Sequence, residues 1–243
     1  MSTRDEILAE LGLMPRWQRR TSALKPEPAP ITEATAPALP LQIDDAAARL
    51  GRIAALDWRA LATDIETCVA CGLCRTRNRT VPGVGAVDAD WLFVGEAPGA
   101  EEDARGEPFV GQAGRLLDSM LGALAMTRSR RVFIANVLKC RPPNNRAPEP
   151  AEAAACKPYL ERQIELLRPR IIVALGRSAA NLLLGVDATI ASLRGRVHQY
   201  QGVPLIVTYH PAYLLRNLPD KAKTWEDLVL ARKTIAWNAA LPK

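Results

Sequence analysis

The stretch Trp91-Leu92-Phe93-Val94-Gly95-Glu96-Ala97-Pro98-Gly99 decides the fold. Four apolar residues in a row read as a strand buried on both faces, and the Gly/Pro loop that follows cannot continue it. A helix comes next, from about Gly111 to Ala125, and the same unit then recurs. Val132 to Leu138 is a second strand, followed by a proline-rich loop and a helix from about Glu149 to Leu167. Arg170 to Leu175 is a third, with the helix Arg177–Leu184 after it. Leu205 to Tyr209 is a fourth, and Trp225–Ala239 closes the chain as a helix. This alternation predicts an α/β fold: a three-layer α/β/α sandwich around a central four-stranded parallel sheet. Ligands of such sheets gather at the carboxyl ends of the strands, which here carry Gly95 and Glu96, Asn136, Gly176 and His210.

Upstream, an Ala-rich helical stretch runs to about Glu66, with Asp44 as its N-cap candidate. Leu24 to Leu41 holds prolines 26, 28, 30, 37 and 40 with no Gly or aromatic residue, so it reads as an extended linker. Arg4 to Arg20 has Ile7, Leu8, Leu11 and Met14 near helical spacing. The predicted organisation is a short helix in 1–20, a Pro-rich linker in 21–43 and one domain in 44–243. The tail reads either as a tethered helix for a protein partner or as a plain tail. A chain beginning near Asp44 is expected to keep the domain's function.

The 243 residues are 48% hydrophobic and 24% charged, which excludes wholesale disorder and a coiled coil. The N-terminus lacks an apolar signal core and no stretch approaches the ~20 apolar residues that span a bilayer. The expectation is a cytoplasmic protein with no membrane contact. The formal charge is +6, and 25 of the 32 basic residues are Arg. Residues 1–44 carry 5 basic and 6 acidic side chains, so the excess belongs to the body. An Arg-biased surface suits a phosphate-bearing partner.

Five cysteines in a reducing compartment read as metal or redox ligands. Cys68-x2-Cys71 is a chelating pair, Cys140 and Cys156 are distant singles, and Cys74 is a rival ligand. One pair plus two singles fits zinc or an iron–sulfur cluster, while Cys140 and Cys156 also suit plain buried thiols. Glu96 and the acids after it (Glu101, Glu102, Asp103, Glu107) oppose phosphate binding. They suit a solvated loop, a Mg2+ site, or a strand-end carboxylate facing an oxocarbenium-like transition state. Gly83-x-Gly85 precedes a strand, so it is no dinucleotide fingerprint. Phe109 is a core plug or a base-stacking platform. Asn136, within an apolar strand, must satisfy its amide from backbone or from a ligand edge.

Together these residues resemble the family 4 uracil-DNA glycosylases, the iron–sulfur branch of that superfamily. The resemblance runs from about Cys68 to Arg216. It rests on Gly95–Gly99, Gly106-Glu107-Pro108-Phe109-Val110-Gly111, Asn136-Val137-Leu138-Lys139-Cys140-Arg141-Pro142-Pro143 and His210-Pro211-Ala212-Tyr213-Leu214-Leu215-Arg216. It implies a base-excision repair enzyme that flips uracil out of DNA and hydrolyses its N-glycosidic bond. Glu96 would be the catalytic acid residue, Glu102 a nearby assistant, and His210 the donor beside uracil O2. Gly95, Ala97, Phe109 and Asn136 would bind the base. A [4Fe-4S] cluster would sit on Cys68, Cys71, Cys140 and Cys156, leaving Cys74 spare. Tyr213, Leu214, Leu215 and Arg216 would form a wedge and phosphate contact, or else the inward-packed first turn of a helix. Arg75, Arg77, Arg79, Arg141, Arg146, Arg194 and Arg196 are the phosphate candidates. Pro142 to Cys156 contains no His, so the crosslinking chemistry of a related branch is not expected. The partner would be single- or double-stranded DNA and the chain would act as a monomer. A non-catalytic iron–sulfur module is the competing reading.

Overall fold

The computed structural model describes residues 46–240, so the expected N-terminal helix and linker lie outside the described residues. Two helices open it, α1 (Ala46–Ala55) and α2 (Trp58–Glu66), where the sequence suggests one. The break has a local cause. Asp57 takes an extended conformation and its Oδ1 accepts the Ala60 N–H at 2.8 Å, a cap that starts a new helix.

Four strands form the parallel centre: β2 (Trp91–Gly95), β3 (Val132–Asn136), β4 (Ile171–Leu175) and β6 (Val203–Thr208). Each of the first three is buried along its whole length, as the uninterrupted apolar runs require. The sheet is nevertheless six-stranded and mixed, not four-stranded. β1 (Val84–Gly85) adds antiparallel to β3 and β5 (Val197–Tyr200) adds antiparallel to β6, giving the order β1-β3-β2-β4-β6-β5. These edges escape the reading because β1 has two residues and β5 alternates exposed and half-buried positions.

Period-2 alternation sends side chains to two cores. Leu92, Val94, Ala135, Ile172 and Val207 meet α5 (Pro150–Leu167) and α6 (Arg177–Leu184) on one face. Phe93, Ile134, Val173 and Ile206 meet α4 (Gln112–Ala123) and α9 (Asp220–Ala240) on the other. The expected helix–sheet–helix layering therefore stands.

The acidic loop after β2 contains a helix, α3 (Ala100–Arg105). Glu101, Glu102 and Asp103 fill its first turn, where the helix dipole favours negative charge. Two one-turn helices complete the chain, α7 (Ile190–Leu193) and α8 (Pro211–Leu214). No helix among the described residues is long and apolar enough to cross a membrane.

Candidate active site

The site is built where β2 and β3 end side by side. Gly95 pairs with Asn136 across the sheet, and the pairing continues past the strands. Val137 N–H donates to the Gly95 carbonyl at 2.9 Å and Leu138 N–H to that of Glu96 at 3.0 Å. The loop carrying Glu96 is thereby fixed to the segment that leads to Cys140.

A glycine at position 95 is a steric requirement. A Cβ there would lie 2.3 Å from Asn136 Oδ1 and 2.8 Å from Phe109 Cζ. The missing side chain lets an amide and an aromatic ring converge over the strand end. Asn136 is 2% exposed, and its side-chain amide makes no hydrogen bond to any described residue. Among the described residues only Thr208 Oγ1 and Thr224 Oγ1 are buried without a partner, so the amide's polar atoms stay open to a ligand edge at the strand end.

Phe109 is buried at φ +55°, a left-handed conformation that a bulky residue rarely takes. Two features hold it there. Arg128 donates to the carbonyls of Pro108 and Phe109 while paired with Asp118 at 2.6 Å. Gly114, in the first turn of α4, lets the Phe109 carbonyl close in: a Cβ would sit 1.6 Å from that oxygen. The ring lies against His210, with centroids 5.5 Å apart and planes 30° apart.

His210 caps α8, its Nδ1 accepting the Ala212 N–H at 3.1 Å. An accepting Nδ1 assigns the neutral ring's proton to Nε2, which makes Nε2–H a free donor. Burial, helped by the Arg216 charge, pulls the pKa down to about 4, so the ring is neutral at pH 7. Glu96 is half-buried. Burial raises its pKa and the neighbouring Ser178 hydroxyl opposes the rise. Ser178 stands in the first turn of α6 and was missed, although its place just after the strand-end Gly176 marks it as ligand-facing. Glu102 has a local task, its Oε2 accepting the Gly99 N–H at 2.9 Å at the start of α3. Ala97 is half-buried beside the cysteine cluster.

Cys68, Cys71, Cys140 and Cys156 line one small cavity, and Cys74 is not in its wall. Among the described residues no three His, Cys, Asp or Glu side chains are grouped to hold a single metal ion. Cations and N–H groups face the sulfurs. Arg77 Nη1 donates to Cys140 Sγ at 3.1 Å, and the Lys139 N–H to Cys156 Sγ at 3.4 Å. Burial pushes the Cys156 thiol up to about 12, so a thiolate there needs positive charge beside it. Lys139 is itself buried, which brings its ammonium down to about 8.

The expected wedge divides. Leu214 is 1% exposed, on a helix that packs against α4, whereas Leu215 is 39% exposed and Arg216 is exposed beside it. Tyr213 stacks on Tyr209 and donates its hydroxyl proton to Asp220 at 2.7 Å. Several phosphate candidates serve the fold. Arg77 also binds the Cys68 carbonyl, Arg146 is bidentate to Glu152, and Arg194 pairs with buried Asp227 at 3.0 Å. Arg141 donates to Asn145 Oδ1 at 2.7 Å, while Arg75, Arg79 and Arg196 are exposed.

This α/β sheet, whose strand ends gather a carboxylate, an amide and a neutral imidazole beside an aromatic ring, belongs to the uracil DNA glycosylase superfamily, whose profile matches residues 82–229. The chain is 46% identical over 163 residues to a type-4 uracil-DNA glycosylase of Archaeoglobus fulgidus, covering 64% of this chain and 81% of that one. It is 43% identical over 175 residues to the type-4 enzyme of Thermotoga maritima, covering 70% and 91%. A type-5 uracil-DNA glycosylase of Thermus thermophilus is 37% identical over 151 residues, covering 54% and 68%. The chain belongs to the type-4 uracil-DNA glycosylases.

Proposed function

We propose that this chain works in base-excision repair, taking uracil out of the DNA stack and hydrolysing its N-glycosidic bond. The observation that carries the reading is the meeting of Asn136, Phe109 and the neutral His210 at the Gly95 strand end.

Extrusion of the base costs a few kcal/mol, and the exposed Leu215 suits the vacated stack, with Arg216 on a neighbouring phosphate. Leu214, being buried, braces that turn from below. The uracil then stacks on Phe109 while the Asn136 amide pairs with its O4/N3 edge. Cytosine would present a donor where uracil presents an acceptor, leaving the amide mismatched. As the C1′–N1 bond breaks, its electron pair moves onto the uracil ring. Nε2–H of His210 stabilises the charge that builds on O2. The deoxyribose becomes cationic, and the Glu96 carboxylate stabilises it and orients the water that adds to C1′. The proton lost by the water passes by way of solvent to the uracil anion, so the products are neutral uracil and an abasic sugar with a C1′ hydroxyl. Glu102 acts through the shape of the loop it caps.

The donor set around the cysteine cavity fits a [4Fe-4S] cluster on Cys68, Cys71, Cys140 and Cys156. When bound it would supply a rigid tie between the loop after α2, the segment after β3 and helix α5. A uracil-containing oligonucleotide treated with the protein and then with hot alkali tests the activity. Scission at the uracil position is expected, and an intact strand refutes the reading. Asn136→Asp should lower kcat/KM on uracil by at least tenfold, and an unchanged value removes Asn136 from base recognition.

A further inference from the structure

Lys139 stands between the two halves of this site. Its side chain is 1% exposed, and its ammonium donates to the Asn136 carbonyl at 2.8 Å and to Gln163 Oε1 at 2.7 Å. Both acceptors are neutral, and no carboxylate is hydrogen-bonded to it among the described residues. Gln163 is itself fixed, donating from Nε2 to the Pro82 carbonyl at 2.7 Å, so the ammonium cannot swing away without breaking a buried chain of hydrogen bonds. A buried cation with only neutral partners is expensive, by several kcal/mol, unless an anion stands near. The neighbouring groups that can be anions are sulfurs. Lys139 lines the cysteine cavity, precedes Cys140 in the chain and gives its own N–H to Cys156.

We propose that Lys139 is a positioning residue: its ammonium is the counter-charge of the ligated iron–sulfur cluster, and its bond to the Asn136 carbonyl carries that anchorage into the uracil pocket. The inference rests on the cluster reading above. A cluster held by four thiolates is a net anion, so the charge that the hydrogen bonds leave uncompensated is met from the other side. The backbone gives the link its reach. Asn136 and Cys140 are four residues apart, and the two residues after Asn136 are pinned to Gly95 and Glu96. A tether at Lys139 therefore bears on the amide that reads the base and on the loop that carries the catalytic carboxylate. It also gives the cluster a structural function: it sets the precision of the pocket.

The test uses the full chain as purified with iron. Lys139→Gln removes the charge and keeps a donor; Lys139→Met is apolar and of similar length, and such replacements of buried charges are usually tolerated. Iron content, the reduction potential of the cluster and the Kd for free uracil are measured on wild type and both variants. The iron-loaded variants should bind uracil at least tenfold more weakly. Their cluster potential should move to a more negative value, because losing a nearby cation disfavours the added electron. Uracil binding within twofold of wild type, or an unshifted potential, in whichever variant folds overturns the inference and leaves the cluster reading intact. A wild-type chain that purifies active and free of iron overturns the cluster reading itself, and Lys139's role with it.

Discussion

The state of His210 decides how the site handles the charge on the departing base. With a pKa near 4, about one imidazole in a thousand is protonated at pH 7, against about one in four at an unperturbed 6.5. In the proposed reaction the donor to O2 is then a neutral Nε2–H. The same shift has a stability sign. The unfolded chain takes up its proton near 6.5 and the folded chain only near 4, so the unfolded state binds more protons between those values. Stability therefore falls as the pH drops from 6.5 to 4, by about 3 kcal/mol from this one group, and no further below. The chain has two histidines, 198 and 210, so nitrogen-labelled histidine gives a readable NMR titration. One ring should hold Nε2 protonated and Nδ1 bare from pH 8 down to about 5. His210→Ala should lose about 10²- to 10³-fold in kcat, the cost of one oxyanion donor, and should lessen the loss of stability over the same acid window. A ring assigned to His210 that titrates above pH 6, or that carries its proton on Nδ1, refutes the neutral-donor mechanism.

Cys156→Ser should abolish iron binding while Cys74→Ser retains it, as read by iron analysis and visible absorbance; iron loss in Cys74→Ser would put that residue in the ligand set. Gly114→Ala should cut kcat/KM at least tenfold without touching substrate, because its Cβ collides with the Phe109 carbonyl and displaces the ring. Full activity in that variant would mean Phe109 does not need its left-handed backbone. Arg194→Ala should cost about 3 kcal/mol in urea unfolding at pH 7, since it leaves Asp227, 1% exposed, without its ion pair. A loss under about 0.5 kcal/mol would show that water reaches Asp227.

The central strands were legible because burial on both faces leaves an unbroken apolar run, as in Trp91 to Val94 and Ile171 to Leu175. The strand ends were legible for the same reason, since Glu96, Asn136 and His210 are the polar residues that interrupt or end such runs. What escaped depends on contacts between segments far apart in sequence. Nothing local marks Gly114 as the residue that admits the Phe109 carbonyl, or Arg128 as its clamp. Lys139 reads as a polar residue after a strand, and only the fold reveals that its ammonium is buried between Asn136 and Gln163. The acids after Glu96 leave a solvated loop, a Mg2+ site and an active-site carboxylate open in the sequence, and only the fold shows that three of them start a helix.

The same lesson revises the charge argument. An Arg-rich body suggests phosphate contact, yet Arg77, Arg128, Arg146 and Arg194 each spend their guanidinium on internal carbonyls, sulfurs or carboxylates. A planar fork of donors suits those tasks as well as it suits phosphate, so composition cannot separate them. The structure does so by partner, and of the arginines around the site it leaves Arg75, Arg79, Arg196 and Arg216 exposed. The internal arginines still belong to the chemistry at one remove. Arg77 holds the cysteine loop and Arg128 holds Phe109, while Arg194 stacks over Tyr209 beneath the turn that presents Leu215. Around the site, then, four arginines build the rigid frame, while Arg75, Arg79, Arg196 and Arg216 stay exposed and are the ones proposed to meet DNA.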